Sequence, residues 1–265
     1  MFINGIERHT GLLPSPAATI ARMHRKNQLR FSHECAIQGP PQSEWIESTC
    51  GHFWKYRKDQ DGQGACVGFS ASHAVDISYA KQGFDVNSSP ACLYAQSNGG
   101  RDGGASVADC LDVLQTVGVF PSGFNGVGDL DWKAVYRSRF WLDPTSALAM
   151  EAAKHVAMEA VFCSSLDDFY NGLQSGEWAG SFCLGAGNAF ETDANGFLPH
   201  YDGTSVNHAL CATGGMKKNP KGEWCIEGAN SWSGWGLNGL FYATKEWLYV
   251  SGQELFLIRA MTIPS

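Results

Sequence analysis

The sequence predicts an α+β protein of two lobes, a helical one followed by a strand-rich one, with a cleft where they meet. Three observations predict it. The capped, helix-periodic segments all fall before about residue 178. The short β-prone runs all fall after about residue 180, separated by Gly, Asn and Pro. The chain also carries 31 glycines in 265 residues, which favours turns and close backbone approaches over long regular helices.

Residues 1–45 read as an N-terminal arm and residues 46–265 as one domain. The arm has a Pro-containing loop (Pro14, Pro16), then the segment ATIARMHRKNQLRF with Arg22, Arg25, Lys26 and Arg30, and ends near Pro40-Pro41. Its apolar residues Leu12, Leu13, Ile20, Met23, Leu29 and Phe31 suffice to bury a face, so it is expected to gate the domain, to dock a protein partner through its basic stripe, or to pack as a structural helix.

The helical lobe is expected over about 60–175. Cys66 to Ala80 reads as a helix that stops at Gly83. Ser106 followed by Asp109 is a capping-box-like start to a second helix, with Val107, Cys110, Leu111 and Leu114 on one stripe and Gly118 after the last turn. The segments LDPTSALAMEAAKHVAMEAVF and SLDDFYNGLQSGEW read as further helices, the second capped by Ser165 or Asp167. The β lobe, about 176–265, carries SFCLGAGNAFE, HALCATGGM, WCIEGANSW, GLFYAT and LFLIRAM.

Composition narrows the function classes. With 44% hydrophobic, 12% aromatic and 17% charged residues the chain can build a core. A net charge of −7 disfavours nucleic acid as a partner. No run reaches the roughly 18–20 apolar residues a membrane helix needs, and the N-terminus makes a poor secretory signal. Nine cysteines, an odd number without CxxC spacing or a compact Cys/His cluster, read as thiols rather than a disulfide or metal framework. The expectation is a cytoplasmic protein, or one carried in a viral particle, with neither metal nor cofactor.

The chemistry-bearing residues form three blocks. Gln60-Asp-Gly-Gln-Gly-Ala-Cys66-Val-Gly-Phe-Ser places a thiol where a helix begins, and a helix N-terminus favours the thiolate. Val206-Asn207-His208-Ala209-Leu210 supplies a histidine, and Gly228-Ala-Asn230-Ser-Trp232-Ser-Gly-Trp235-Gly an asparagine. Alone, Cys66 or His208 would be ordinary core material and Asn230 turn chemistry. Together and in this order they resemble the papain-like cysteine peptidases, and His208 follows Cys66 at the separation of about 130–150 residues expected there. The segment from Asp102 to Val107 further resembles the bacterial and phage-type members.

The resemblance implies a papain-like two-lobe fold, with an antiparallel barrel-like β lobe, and a cysteine-type endopeptidase acting on peptide or protein substrates through a thioester. It implies Cys66 as nucleophile, His208 as base, Asn230 orienting the ring, and Gln60 as an oxyanion donor. It also implies Trp232 over the His208–Asn230 bond, Gly103 and Gly104 as the strand that pairs with substrate, and Val206 and Ala209 lining an apolar subsite. Three departures stand out. Gln63 occupies a position commonly held by a disulfide-bonded cysteine, Val67 replaces the usual Trp, and the loop between Trp232 and Trp235 is one residue short. A structural or binding component of a larger assembly, built on the same scaffold, is the alternative. Another thiol acyl-transfer enzyme is disfavoured by the Asn-Ser-Trp block.

Overall fold

The structure is a computed structural model describing residues 2–3, 6–7, 10–30, 40, 42–155, 158–248 and 254–261, with the backbone alone at 2–3, 6–7, 24–30 and 158. Strands β1 (Phe2–Ile3) and β2 (Ile6–Glu7) pair as a short hairpin. Six helices follow: α1 (Ala17–Arg30), α2 (Cys66–Lys81), α3 (Pro90–Ser97), α4 (Val107–Thr116), α5 (Trp132–Ser138) and α6 (Ala147–Ala152). Then come β3 (Met158–Phe162), α7 (Leu166–Gln174), β4 (Ala179–Leu184), β5 (His208–Lys218), β6 (Trp224–Ala229), β7 (Leu240–Thr244), α8 (Lys245–Leu248) and β8 (Leu255–Ala260). The sheet runs β3-β8-β4-β5-β6-β7 and is antiparallel at every pairing.

The caps behave as their residue types dictate. Ser106 accepts from Asp109 N–H (3.1 Å), and Ser165, rather than Asp167, accepts from Asp168 N–H (3.0 Å). Gly83 and Gly118 have positive φ just beyond α2 and α4. The expected helix over 142–162 does not run its length. It breaks after α6 and a 3-10 turn ending at His155, and Met158–Phe162 is a strand. Met, Glu and Ala favour helix, but pairing with β8 in register Val161↔Leu257 outweighs that local preference.

Helix α2 positions everything else. Every residue from Cys66 to Tyr79 is buried, as expected of a helix with apolar or small residues all round. It packs on α3 and α4 on one side and on β4, β5 and β8 on the other. Ser70 Oγ meets Ser181 Oγ of β4 at 2.7 Å across the two layers.

Inside the helical lobe, Lys58 Nζ donates to Asp76 Oδ2 (2.6 Å), Ser72 Oγ (2.7 Å) and the Ser88 carbonyl (2.6 Å), while Asp76 Oδ1 accepts from Ser88 N–H and Oγ–H. Both side chains are buried. Removing one partner strands the other charge, so Asp76→Ala should cost about 3–5 kcal/mol. Urea denaturation checks this, and a loss below about 1 kcal/mol would mean the pair behaves as a surface ion pair.

Candidate active site

Cys66 is the first residue of α2, and the residue before it, Ala65, supplies no side-chain cap. The sulfur is met instead by backbone: the N–H groups of Ala209, Gly11, Val67 and Cys66 itself face it. Ala209 is the second residue of β5, so the strand that begins with His208 docks directly on the thiol.

His208 Nε2 lies 3.0 Å from Asn230 Oδ1. An amide oxygen only accepts, so Nε2 carries the proton and Nδ1, on the opposite side of the ring, holds the lone pair a base needs. Nδ1 is buried with no hydrogen-bond partner among the described residues. Trp232 stacks on the imidazole at 4.3 Å between ring centroids and 20° between planes. Phe190 abuts both rings edge-on and itself stacks on Trp235. The His208–Asn230 bond is thus sealed from water, where it gains strength.

Gln60 is tied down on both sides. Its Nε2–H donates to the Gln63 carbonyl (2.6 Å), and its Oε1 accepts from Ser231 Oγ–H (2.6 Å). Gln60 N–H donates to the Ser231 carbonyl (3.0 Å), and Ser233 N–H to Asp59 Oδ2 (3.1 Å). The loop before the nucleophile is therefore stapled to the loop after Asn230.

Glycines make the other wall. Gly104 has φ +95, and a Cβ there would run into the Gly11 carbonyl. Leu12 bridges Ala105 in parallel fashion: Ala105 N–H donates to Gly11 O and Leu13 N–H to Ala105 O, both 2.8 Å. The edge of this short strand is therefore Gly104-Ala105, and Gly103 lies exposed beside it with open space around its Cα. Val206 is half-buried against the helical-lobe core, and Ala209 is buried in it.

Among solved structures, xylellain, a cysteine protease from Xylella fastidiosa, matches with a TM-score of 0.66 over 98% of this chain and 100% of its own, at 16% identity. A bromelain protease from Ananas comosus, in complex with the E64 inhibitor, matches at 0.58 over 84% and 100%, with 19% identity. Digestive procathepsin L2 from Tenebrio molitor larval midgut matches at 0.64 over 94% and 77%, with 16% identity. The chain has the papain-like cysteine protease fold. No protein-family model matches it, and no curated sequence aligns with it significantly.

Within the papain-like fold, the departures at Gln63 and Val67 acquire a physical account. Gln63 Nε2–H donates to the Leu130 carbonyl (3.2 Å), and Gly64 N–H donates to Asp102 Oδ1 (3.0 Å). The same Asp102 oxygen accepts from Tyr94 Oη–H (2.8 Å), whose oxygen accepts in turn from Gly104 N–H (3.3 Å). Hydrogen bonds thus join the nucleophile loop to the glycine strand. The eight described cysteines are thiols. Val67 is buried in the core. Ser231, Tyr94 and the carboxylate of Asp102 were not among the site residues expected from sequence; an exposed-looking Ser, Tyr and Asp carry no signal until the loops are brought together.

The arm lies over this site. Gly11 packs so closely on Gly64 that a Cβ would run into the Gly64 carbonyl oxygen. Thr19 Oγ1–H donates to Asp109 Oδ1 (2.8 Å), Arg22 pairs with Asp112 (2.7 Å), and Met23 is buried. The side chains of Arg25, Lys26, Leu29 and Arg30, and residue Phe31, lie outside the described residues.

Burial sets the electrostatics of the site. Burial pushes the Cys66 thiol up, against the N–H groups that would stabilise a thiolate. Burial also drives His208 down to about 4, with the Asn230 bond opposing it. At neutral pH the buried Cys66 thiol and the buried His208 imidazole are therefore both uncharged.

An ordinary imidazole takes its proton near pH 6.5. Across the interval from there to about pH 4 the unfolded chain binds a proton that the folded chain does not. Stability is therefore lost as pH falls through that interval, by on the order of 3 kcal/mol from His208. His73, held well below its usual range by burial and by Lys58, adds a loss of the same sign. His208→Gln should lose less stability than wild type between pH 7 and pH 4.5 in urea titrations; equal losses would mean that His208 titrates as if exposed.

Proposed function

We propose that the protein is a cysteine-type endopeptidase using Cys66, His208 and Asn230, held latent by its own arm. The observation that carries this reading is that the backbone amide of Ala209 acts on the helix-start thiol of Cys66, while its neighbour His208 has Nε2–H engaged by Asn230 and no described partner at Nδ1. That set has the parts that acyl transfer needs.

Once uncovered, the thiol passes its proton to His208 Nδ1. The thiolate attacks the peptide carbonyl carbon, and the carbonyl π electrons move onto oxygen. The oxyanion is met by Cys66 N–H and the Gln60 side-chain amide. The C–N bond then breaks as the imidazolium gives its proton to the leaving amine, leaving a thioester on Cys66. Water, deprotonated by His208, attacks the thioester, and thiol and carboxylic acid separate. Trp232 keeps competing water off the His208–Asn230 bond. Gly104 and Ala105 offer the backbone edge on which a peptide substrate pairs, the edge that Gly11–Leu13 occupies here. The Gly11 amide acts on the sulfur, so the arm occupies the space beside the thiol.

The arm's contacts with α4 and Ala105 favour gating over docking to another protein. The proform procathepsin L2 also covers more of this chain than the bromelain does, 94% against 84%. A non-catalytic scaffold with a plugged cleft is the competing reading, and one substitution separates them. Gly11→Ala in the full-length protein puts a methyl where the Gly64 oxygen stands and should lift the arm. An irreversible epoxide thiol probe, read by peptide mass spectrometry, should then modify Cys66 at least about tenfold faster than in wild type, as water and the thiolate return. Statistical labelling of several cysteines, or none at Cys66, would sink the peptidase reading.

A further inference from the structure

Beside the His208–Asn230 pair lies a cavity of about 170 Å3. Trp54, Arg57 and Asp59 wall it from the segment that leads to the nucleophile loop, and Asn230, Trp232 and Asn238 from the loop after β6. The volume is below the roughly 300 Å3 at which drug-sized sites begin. It is well above the share of about 30 Å3 that one water takes in the liquid.

Two of these side chains carry a buried nitrogen donor with no partner among the described residues, Trp54 Nε1 and Asn230 Nδ2. The two residues are only 3% and 2% exposed, and a donor buried that deeply is costly to leave unmet. The other end of the Asn230 amide is already spent, since Oδ1 holds His208. Arg57 lines the same cavity from an exposed position, with its guanidinium 5.4 Å from the Trp54 ring centroid. Its Nη1–H donates to the Asn238 carbonyl (3.3 Å), which leaves the rest of the fork open. The remaining charges in the walls are committed. Lys58 pairs with Asp76, while Asp59 Oδ1 accepts from Asp61 N–H (2.9 Å) and Oδ2 from Ser233 N–H (3.1 Å).

Three donors thus line one small cavity, and its only carboxylate is turned to the backbone. A guest that fits must accept hydrogen bonds and need not donate any, whereas water brings two donors of its own. From the orphaned donors of Trp54 and Asn230 and the open fork of Arg57, we infer that this cavity binds a small carboxylate anion of about the size of acetate. One carboxylate oxygen accepts from Trp54 Nε1–H and Asn230 Nδ2–H, and the other meets the guanidinium, a pairing that suits the planar fork of arginine. The inference goes beyond the peptidase reading and stands without it. It also gives Asn230 a second anchor. An acceptor held at Nδ2 fixes the plane of the amide, so that Oδ1 stays directed at His208 Nε2–H.

The test uses full-length, nitrogen-15-labelled protein in which sodium acetate replaces sodium chloride at constant ionic strength. The readout is the NMR signal of the indole N–H and side-chain amide groups, with Trp54→Phe and Asn230→Asp identifying the two resonances. Both should shift along one saturating curve with a shared midpoint. Trp54→Phe keeps a ring but removes the donor, and should raise the midpoint read at the Asn230 amide by at least about tenfold. Arg57→Gln, at an exposed position, should raise it by at least about fivefold while the melting temperature stays put. Shifts that grow linearly with acetate, or that follow different midpoints, mean that water alone fills the cavity and overturn the inference. No shift on exchanging chloride for acetate means that the cavity does not select a carboxylate, and overturns it too. An Arg57→Gln midpoint equal to that of wild type does the same, whether or not Trp54→Phe folds.

Discussion

The complete burial of helix α2 is the constraint from which the site follows. A helix clasped on one side by α3 and α4 and on the other by β4, β5 and β8 cannot slide or roll without opening both cores. Its first residue is Cys66, so the thiol is fixed at the boundary between the lobes. The register Leu184↔His208 then fixes where β5 starts. A one-residue slip of that strand would turn His208 to the other face of the sheet and move Ala209 N–H off the sulfur. Cys66 and His208 come from different lobes, and each is held in place by its own helix or strand.

Which features could be read from sequence depended on whether the signal was local. The start of α2 after a glycine loop, the Ser106 and Ser165 caps, and the stretch beginning His208-Ala209-Leu210 are local patterns, and all appear as expected. The Met158–Phe162 segment misled because its residues favour helix and only a partner nearly 100 positions away, in β8, makes it a strand. The site divides the same way. Cys66, His208 and Asn230 stood out through their surrounding blocks, whereas Ser231 and Tyr94 act only through loops brought together by the fold. Gly103 was read as part of the pairing wall, but it is Ala105 whose backbone carries both hydrogen bonds to the arm.

Arm and site are linked by solvation as much as by shape. Charged forms of Cys66 and His208 are penalised where water is removed from them, and both groups are buried. Polar contacts of Ser15, Thr19 and Arg22, together with the burial of Met23, hold the arm in place. Gly11 is the point of closest approach, where two backbones meet with no room for a side chain. In the proposed latent peptidase, the covered and uncovered states would differ in hydration and in the protonation of Cys66 and His208.

The strap between the nucleophile loop and the glycine strand consists of an amide, a carboxylate and a phenol. None of these groups exchanges electrons with a thiol or a disulfide. In the proposed peptidase Cys66 must be kept reduced to act as a nucleophile, yet the loop beside it contains nothing a reductant can cut. Reduction of Cys66 can thus proceed without loosening the loop's support, and the geometry of the loop is indifferent to the redox potential around it.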